Sequence, residues 1–151
     1  MRVSEFAWGA LALLLLACGP TRVLDVPPAF KKYEDADDLR LITADGVRVA
    51  AREVDNEPKA DLAFWTDAMK RHLEKRGYTF RAEDCFNTRK GLRGCTLDFM
   101  LPYGNEDWVM SETIFVIDDR IVLVEAAGPF ERYQPVEQQL RAALRTFEPG
   151  G

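Results

Sequence analysis

The sequence holds a single histidine, His72, and only two serines, Ser4 and Ser111. A Ser–His or Cys–His catalytic group would have to be built around His72, which stands beside an apolar helical stripe, so nucleophilic catalysis of that kind has little material. No G-x-x-x-x-G-K-[ST], G-x-G-x-x-G or G-x-S-x-G occurs, which removes the usual phosphate cradles and the nucleophile elbow. Cys85 and Cys95 are separated by nine residues, which is not a C-x-x-C spacing, and no histidine stands near them in sequence, so no metal or cofactor is expected. Positive charge is in deficit as well. Against 25 Asp and Glu stand 20 Lys and Arg, a net charge of −5, whereas nucleic acid needs concentrated cations that release counterions from phosphate. No apolar run approaches the roughly 20 residues that cross a bilayer.

What is present begins with a short apolar run, Ala7 to Ala17, behind Arg2. Its length suits the central region of a signal peptide. It closes on Leu15, Leu16, Ala17 and Cys18, which resembles the bacterial lipoprotein lipobox: a leucine, two tolerated residues, then the cysteine whose thiol takes a diacylglycerol. Gly19 and Pro20 follow and would break any helix continuing through the cysteine. The resemblance implies a leader over residues 1–17, lipidation of Cys18 with diacylglycerol and palmitate, and a mature chain in the cell envelope. Gly19 in place of an aspartate implies the outer membrane, facing the periplasm or the cell surface. With Cys18 committed to lipid in an oxidising compartment, Cys85 and Cys95 remain as a pair and are expected to form a disulfide.

Residues 18–37 contain three prolines, mixed charge and no periodicity, and read as a flexible tether able to hold a domain about 50 Å from the bilayer at about 3.1 Å per residue. The folded domain is expected over residues 38–149. Around Asp45-Gly46, Leu39, Leu41 and Thr43 alternate before the turn and Val47, Val49 and Ala51 after it, a hairpin signal in which both turn residues are expected at positive φ. The period then changes. Leu62, Trp65, Met69 and Leu73 recur at threes and fours, with Pro58 suited to a first turn and Gly77 to a left-handed stop, predicting a helix of some 18 residues. Strand candidates follow on either side of a basic loop between the cysteines, the second ended by Pro102. Trp108 to Ile117 and Ile121 to Ala127 then meet at Asp118-Asp119, with apolar residues at both parities, as in strands buried on both faces. A second helix opens at Pro135, with Val136, Leu140, Ala143, Leu144 and Phe147 as its inward stripe. The expected architecture is α+β: one antiparallel sheet of five to six strands with two main helices packed on its faces.

The run "SETIFVIDDRIVLVEAAGPFERYQPVEQQLRAALRTFEP" resembles the PsbP-like fold family, in which a long hairpin leads through an aromatic loop into a terminal helix. The resemblance spans roughly residues 39–148 as a pattern of elements. It implies a non-enzymatic accessory or binding protein, and no functional residue of the family maps onto this chain. Among the residues themselves, Tyr103, Trp108, Phe130 and Tyr133 are the candidate partner-binding set, aromatics flanked by polar residues as at recognition surfaces. The expected partners are the membrane, through the lipid anchor, and an envelope protein or small ligand. The alternative is a small carboxylate-dependent hydrolase or lyase, which requires Asp98, Glu112 and Glu125, all on predicted strands, to converge in a pocket.

Overall fold

The computed structural model describes residues 22–150, and the leader and Cys18 lie outside them. The elements run β1 (Phe30–Lys32), β2 (Arg40–Thr43), β3 (Arg48–Asp55), α1 (Leu62–Lys75), β4 (Thr79–Asn87), β5 (Arg93–Tyr103), β6 (Glu106–Ile117), β7 (Arg120–Pro129), α2 (Phe130–Tyr133), a 3-10 turn (Gln134–Val136) and α3 (Glu137–Leu144). The strands form one antiparallel sheet in the order β1-β2-β3-β7-β6-β5-β4. Seven strands exceed the five to six expected. The addition is β1, which lies in the stretch read as a tether. Phe30 is 2% exposed and Leu24 is buried with it, Arg22 makes ion pairs with Asp38 and Glu53, and Val23 and Glu148 exchange backbone hydrogen bonds of 3.1 and 2.8 Å. Residues 22–37 therefore belong to the folded unit. Two buried side chains override the proline-rich, aperiodic composition that suggested a linker.

The local rules account for most of the remaining boundaries. The β2–β3 connection has only Gly46 at positive φ (97°), not both turn residues. Gly46 donates to the Thr43 carbonyl and the Thr43 hydroxyl accepts from Val47, so a three-residue loop with a left-handed glycine closes the hairpin. Helix α1 has 14 residues, shorter than expected, because Asp61 caps it by accepting from the Phe64 N–H and leaves Pro58 outside. At its other end Gly77 (φ 92°) donates to Glu74 and Tyr78 donates to Leu73, a Schellman stop. Pro102 does not end β5. Strand β4 begins at Thr79, opposite Met100, so Pro102 lies where β5 has a neighbour on one side only.

The sheet carries a core on each face. On one, α3 and the chain ends bury Leu41, Val49, Phe115, Val124, Leu140 and Phe147 among others, and Phe115 stacks on Phe147 with ring centroids 4.6 Å apart. On the other, the smaller core of Leu73, Leu97, Phe99, Ile114, Ile121 and Leu123 lies under α1. Cys85 and Cys95 are direct cross-strand partners and are joined by a disulfide closing a short loop, which stabilises the fold by about 2 to 3 kcal/mol in the chain-entropy account. With both cores supplied from within residues 22–150, this stretch has what a folding unit needs.

One buried amide ties α1 to the sheet. Asn56, directly after β3, donates through Nδ2 to the carbonyls of Ala60 (3.1 Å) and Asp118 (2.9 Å), and its Oδ1 accepts from the Ala60 N–H (3.1 Å) and the Trp65 indole (2.7 Å). All four hydrogen-bonding positions of the side chain are used, joining the β6–β7 turn, the loop before α1 and the helix itself. Replacing Asn56 with Ala leaves buried donors and acceptors unpaired and should cost about 2 to 4 kcal/mol, read as a lowered urea midpoint.

Candidate functional site

Helix α1 lies over β4, β5 and β6. Fourteen residues are too few to roof the sheet as far as β3, and Trp65 and Met69 remain only half-buried. The result is a cavity of about 630 Å³ between α1 and the strands β3, β7 and β6. Its apolar wall is built from Trp65, Met69 and Leu73 on the helix and from Met110, Ile114, Ile121 and Leu123 on the sheet, while exposed Arg52, His72 and Arg76 stand at its mouth. The volume lies within the range of small-ligand pockets, roughly 300 to 1,000 Å³, and the mix of apolar wall and few polar groups is theirs too.

The polar floor consists of Glu112 and Glu125, which face one another across β6 and β7. Glu112 is 3% exposed. Burial, then a hydrogen bond to Glu125 and its charge, push the Glu112 carboxyl up from 4.5 to about 8, with Arg52 on β3 pulling the other way. At neutral pH Glu112 is therefore protonated. Even so, Glu112 Oε2 has no hydrogen-bond partner among the described residues.

The third carboxylate of the expected set is elsewhere. Ser111 and Glu112 are neighbours on one strand and point to opposite faces, and Asp98 pairs with Ser111. Asp98 accepts from the Ser111 hydroxyl at 2.7 Å and makes an ion pair with Arg141 of α3. Arg141 also binds Glu137 at 2.8 Å. Burial alone would lower the Arg141 guanidinium, but Glu137 and Asp98 more than reverse it. Tyr133, hydrogen-bonded to Ser111, is raised to about 12, mainly by burial. This network clamps α3 to the sheet. The convergence expected of Asp98, Glu112 and Glu125 thus holds for the two glutamates only.

The aromatic set is also divided. Tyr103 is 67% exposed and meets the half-buried Trp108 edge to face at 5.5 Å. Phe130 is half-buried under Arg81, beside a hollow of about 260 Å³ whose other walls are Asn105, Glu106, Asp107, Pro129 and Glu131. Tyr133 is 2% exposed and caps the core, so it offers no surface. The one group of three potential metal ligands among the described residues is Glu83, Cys85 and Cys95, whose sulfurs are bonded to each other and supply no thiolate. The sequence flagged Glu112 and Glu125 together with Asp98 as a converging set, without separating the two glutamates from the aspartate, and gave no sign of the helix wall. The signal for the pairing was present: with a two-residue turn at Asp118-Asp119, each glutamate stands six residues from its turn aspartate and must face the other.

No family model matches the sequence. No curated protein matches it either. Solved structures do match in fold. A Pseudomonas aeruginosa protein of unknown function, PA94, described as a putative regulator, has 13% identity and a TM-score of 0.61 over 86% of this chain and 98% of its own. LpqN of Mycobacterium tuberculosis, described as involved in cell envelope biogenesis, has 12% identity and a TM-score of 0.66 over 87% and 86%. Cyanobacterial PsbP (CyanoP) from Synechocystis sp. PCC 6803 has 10% identity and a TM-score of 0.59 over 95% and 98%. The single antiparallel sheet with its helices is thus an architecture shared with a PsbP protein.

Between the ordinary glutamate value of 4.5 and about 8 the native state keeps a proton that the unfolded chain has lost. The stability this contributes is full below about pH 4.5 and is lost as pH rises through about 8. Urea midpoints should therefore fall between these limits, and Glu112→Gln should flatten the slope.

Proposed function

We propose that this chain is a lipid-anchored, non-catalytic binding module of the bacterial cell envelope, at the outer membrane, with the cavity beneath α1 as its small-ligand site. The carrying observation is the cavity itself: about 630 Å³, apolar-walled, with a carboxyl pair on its floor. The envelope reading draws on the lipobox-like Leu15–Cys18 stretch and on the fold shared with LpqN, whose description concerns envelope biogenesis. Because residues 22–37 are packed on the domain, only the chain between Cys18 and Arg22 separates it from an anchor, a reach of at most about 14 Å. A module held that near the bilayer surface samples ligands from the membrane interface and not from bulk periplasm.

A carboxylate-dependent hydrolase has one feature in its favour, a protonated Glu112 beside Glu125. Against it, glycosidase pairs stand about 5 Å or more apart to admit a substrate, whereas these two are directly hydrogen-bonded, and Asp98 is on the opposite face.

Two measurements test the reading. Radiolabelled palmitate should enter the full chain expressed in a Gram-negative host and be absent from Cys18→Ala; equal labelling would sink the anchor. The segment 22–151 should enhance the fluorescence of N-phenyl-1-naphthylamine, and Leu123→Trp, which fills the cavity, should weaken that binding by about tenfold, the equivalent of one or two buried methylenes.

A further inference from the structure

The clamp on the α3 face shows how the fold treats a buried acid that holds elements together: Asp98 has partners on Ser111 and Arg141. The carboxyl pair on the α1 face is treated otherwise. Glu112 and Glu125 are two acids placed directly opposite each other, an arrangement that destabilises a sheet when both are ionised. Neither makes an ion pair among the described residues; Glu112, 3% exposed, lines the cavity, and its Oε2 is buried without a hydrogen-bond partner. Around the pair stand Arg52 and Asp55 from β3, His72 and Arg76 from α1, and Tyr78 just beyond it; β5 contributes the apolar Leu97 opposite Glu112.

An unsatisfied acceptor beside a second carboxyl calls for a donor, and the charge of the pair selects its kind. A carboxylate ligand would add a third negative group. An alcohol brings one donor and leaves the Glu112 proton in place. A primary ammonium brings three donors and a positive charge, and on entry displaces the Glu112 proton to solvent, so that the cation meets an ionised Glu112. A buried ammonium is tolerated only where such partners meet it.

Resting on the binding reading above, we propose that the cavity takes an apolar molecule ending in a primary ammonium group, with the nitrogen at Glu112 and Glu125 and the body against Trp65, Met69 and Leu123. Arg52, His72 and Arg76 at the mouth then face solvent beyond the bound head and leave the floor to the amine.

Titration calorimetry of segment 22–151 with octylamine, octan-1-ol and octanoate tests this. Octylamine should bind at least about tenfold more tightly than either of the others. Since its binding expels a proton, its affinity should rise by up to about tenfold for each pH unit gained below about pH 8. Glu112→Gln should remove both the preference and the pH dependence while the segment still unfolds cooperatively in urea, which shows that the fold persists. Equal or tighter binding of octanol or octanoate overturns the ligand class, as does an unchanged amine preference in Glu112→Gln. If N-phenyl-1-naphthylamine fails to bind the unaltered segment, the cavity reading itself falls and the amine proposal with it.

Discussion

The constraint that governs this fold is that its central strands are apolar on both faces and the chain has little helix with which to cover them. Strands β6 and β7 carry Ile114 and Leu123 on one side and Phe115 and Val124 on the other. The α3 face is closed by assembling several pieces: α3, the 3-10 turn before it, Phe147 and the N-terminal stretch with Leu24 and Phe30. The opposite face has one helix of four turns. A single cylinder about 10 Å across cannot shield a seven-stranded sheet, so where α1 ends sideways the sheet remains unroofed and a hollow follows.

The two faces also differ in how they settle their polar groups. On the α3 side a continuous chain of contacts runs from Tyr133 through Ser111 and Asp98 to Arg141 and Glu137, and every member gains a partner. Such a network specifies one docking of the terminal helix. On the α1 side Asn56 is equally well satisfied, but the glutamate pair is not. Among the described residues four buried side-chain atoms lack a hydrogen-bond partner, Arg22 Nε, Trp108 Nε1, Arg141 Nη1 and Glu112 Oε2, and of the four residues only Glu112 lines the cavity under α1.

Much of this was readable from the residues. The hairpins about Gly46 and Asp118, the glycine stop of α1 at Gly77, the stripe ending in Phe147 and the Cys85–Cys95 pairing rest on local chemistry or on elimination, and the structure contains each. Strand β1 was not readable, because three residues, Phe-Lys-Lys, carry no period and become a strand only when Phe30 finds its place in the core. The shortened α1 turned on Asp61 outcompeting Pro58 for the helix start. At the candidate site, residue identity was visible and spatial relation was not: Tyr133 and Tyr103 look alike in sequence, yet one is interior and the other is at the surface. Register alone would have paired the glutamates, but the size of the hollow above them depends on how far a helix extends across a sheet.

The exchange of hydrogen bonds between Val23 and Glu148 places the two ends of the domain side by side. Tension entering along the N-terminal segment therefore meets a clasp made with the opposite terminus, reinforced by the Arg22 ion pairs to Asp38 and to Glu53 of β3. The domain is mechanically closed at the point where it would be pulled. Helix α1 and the hollow beneath it stand apart from that clasp.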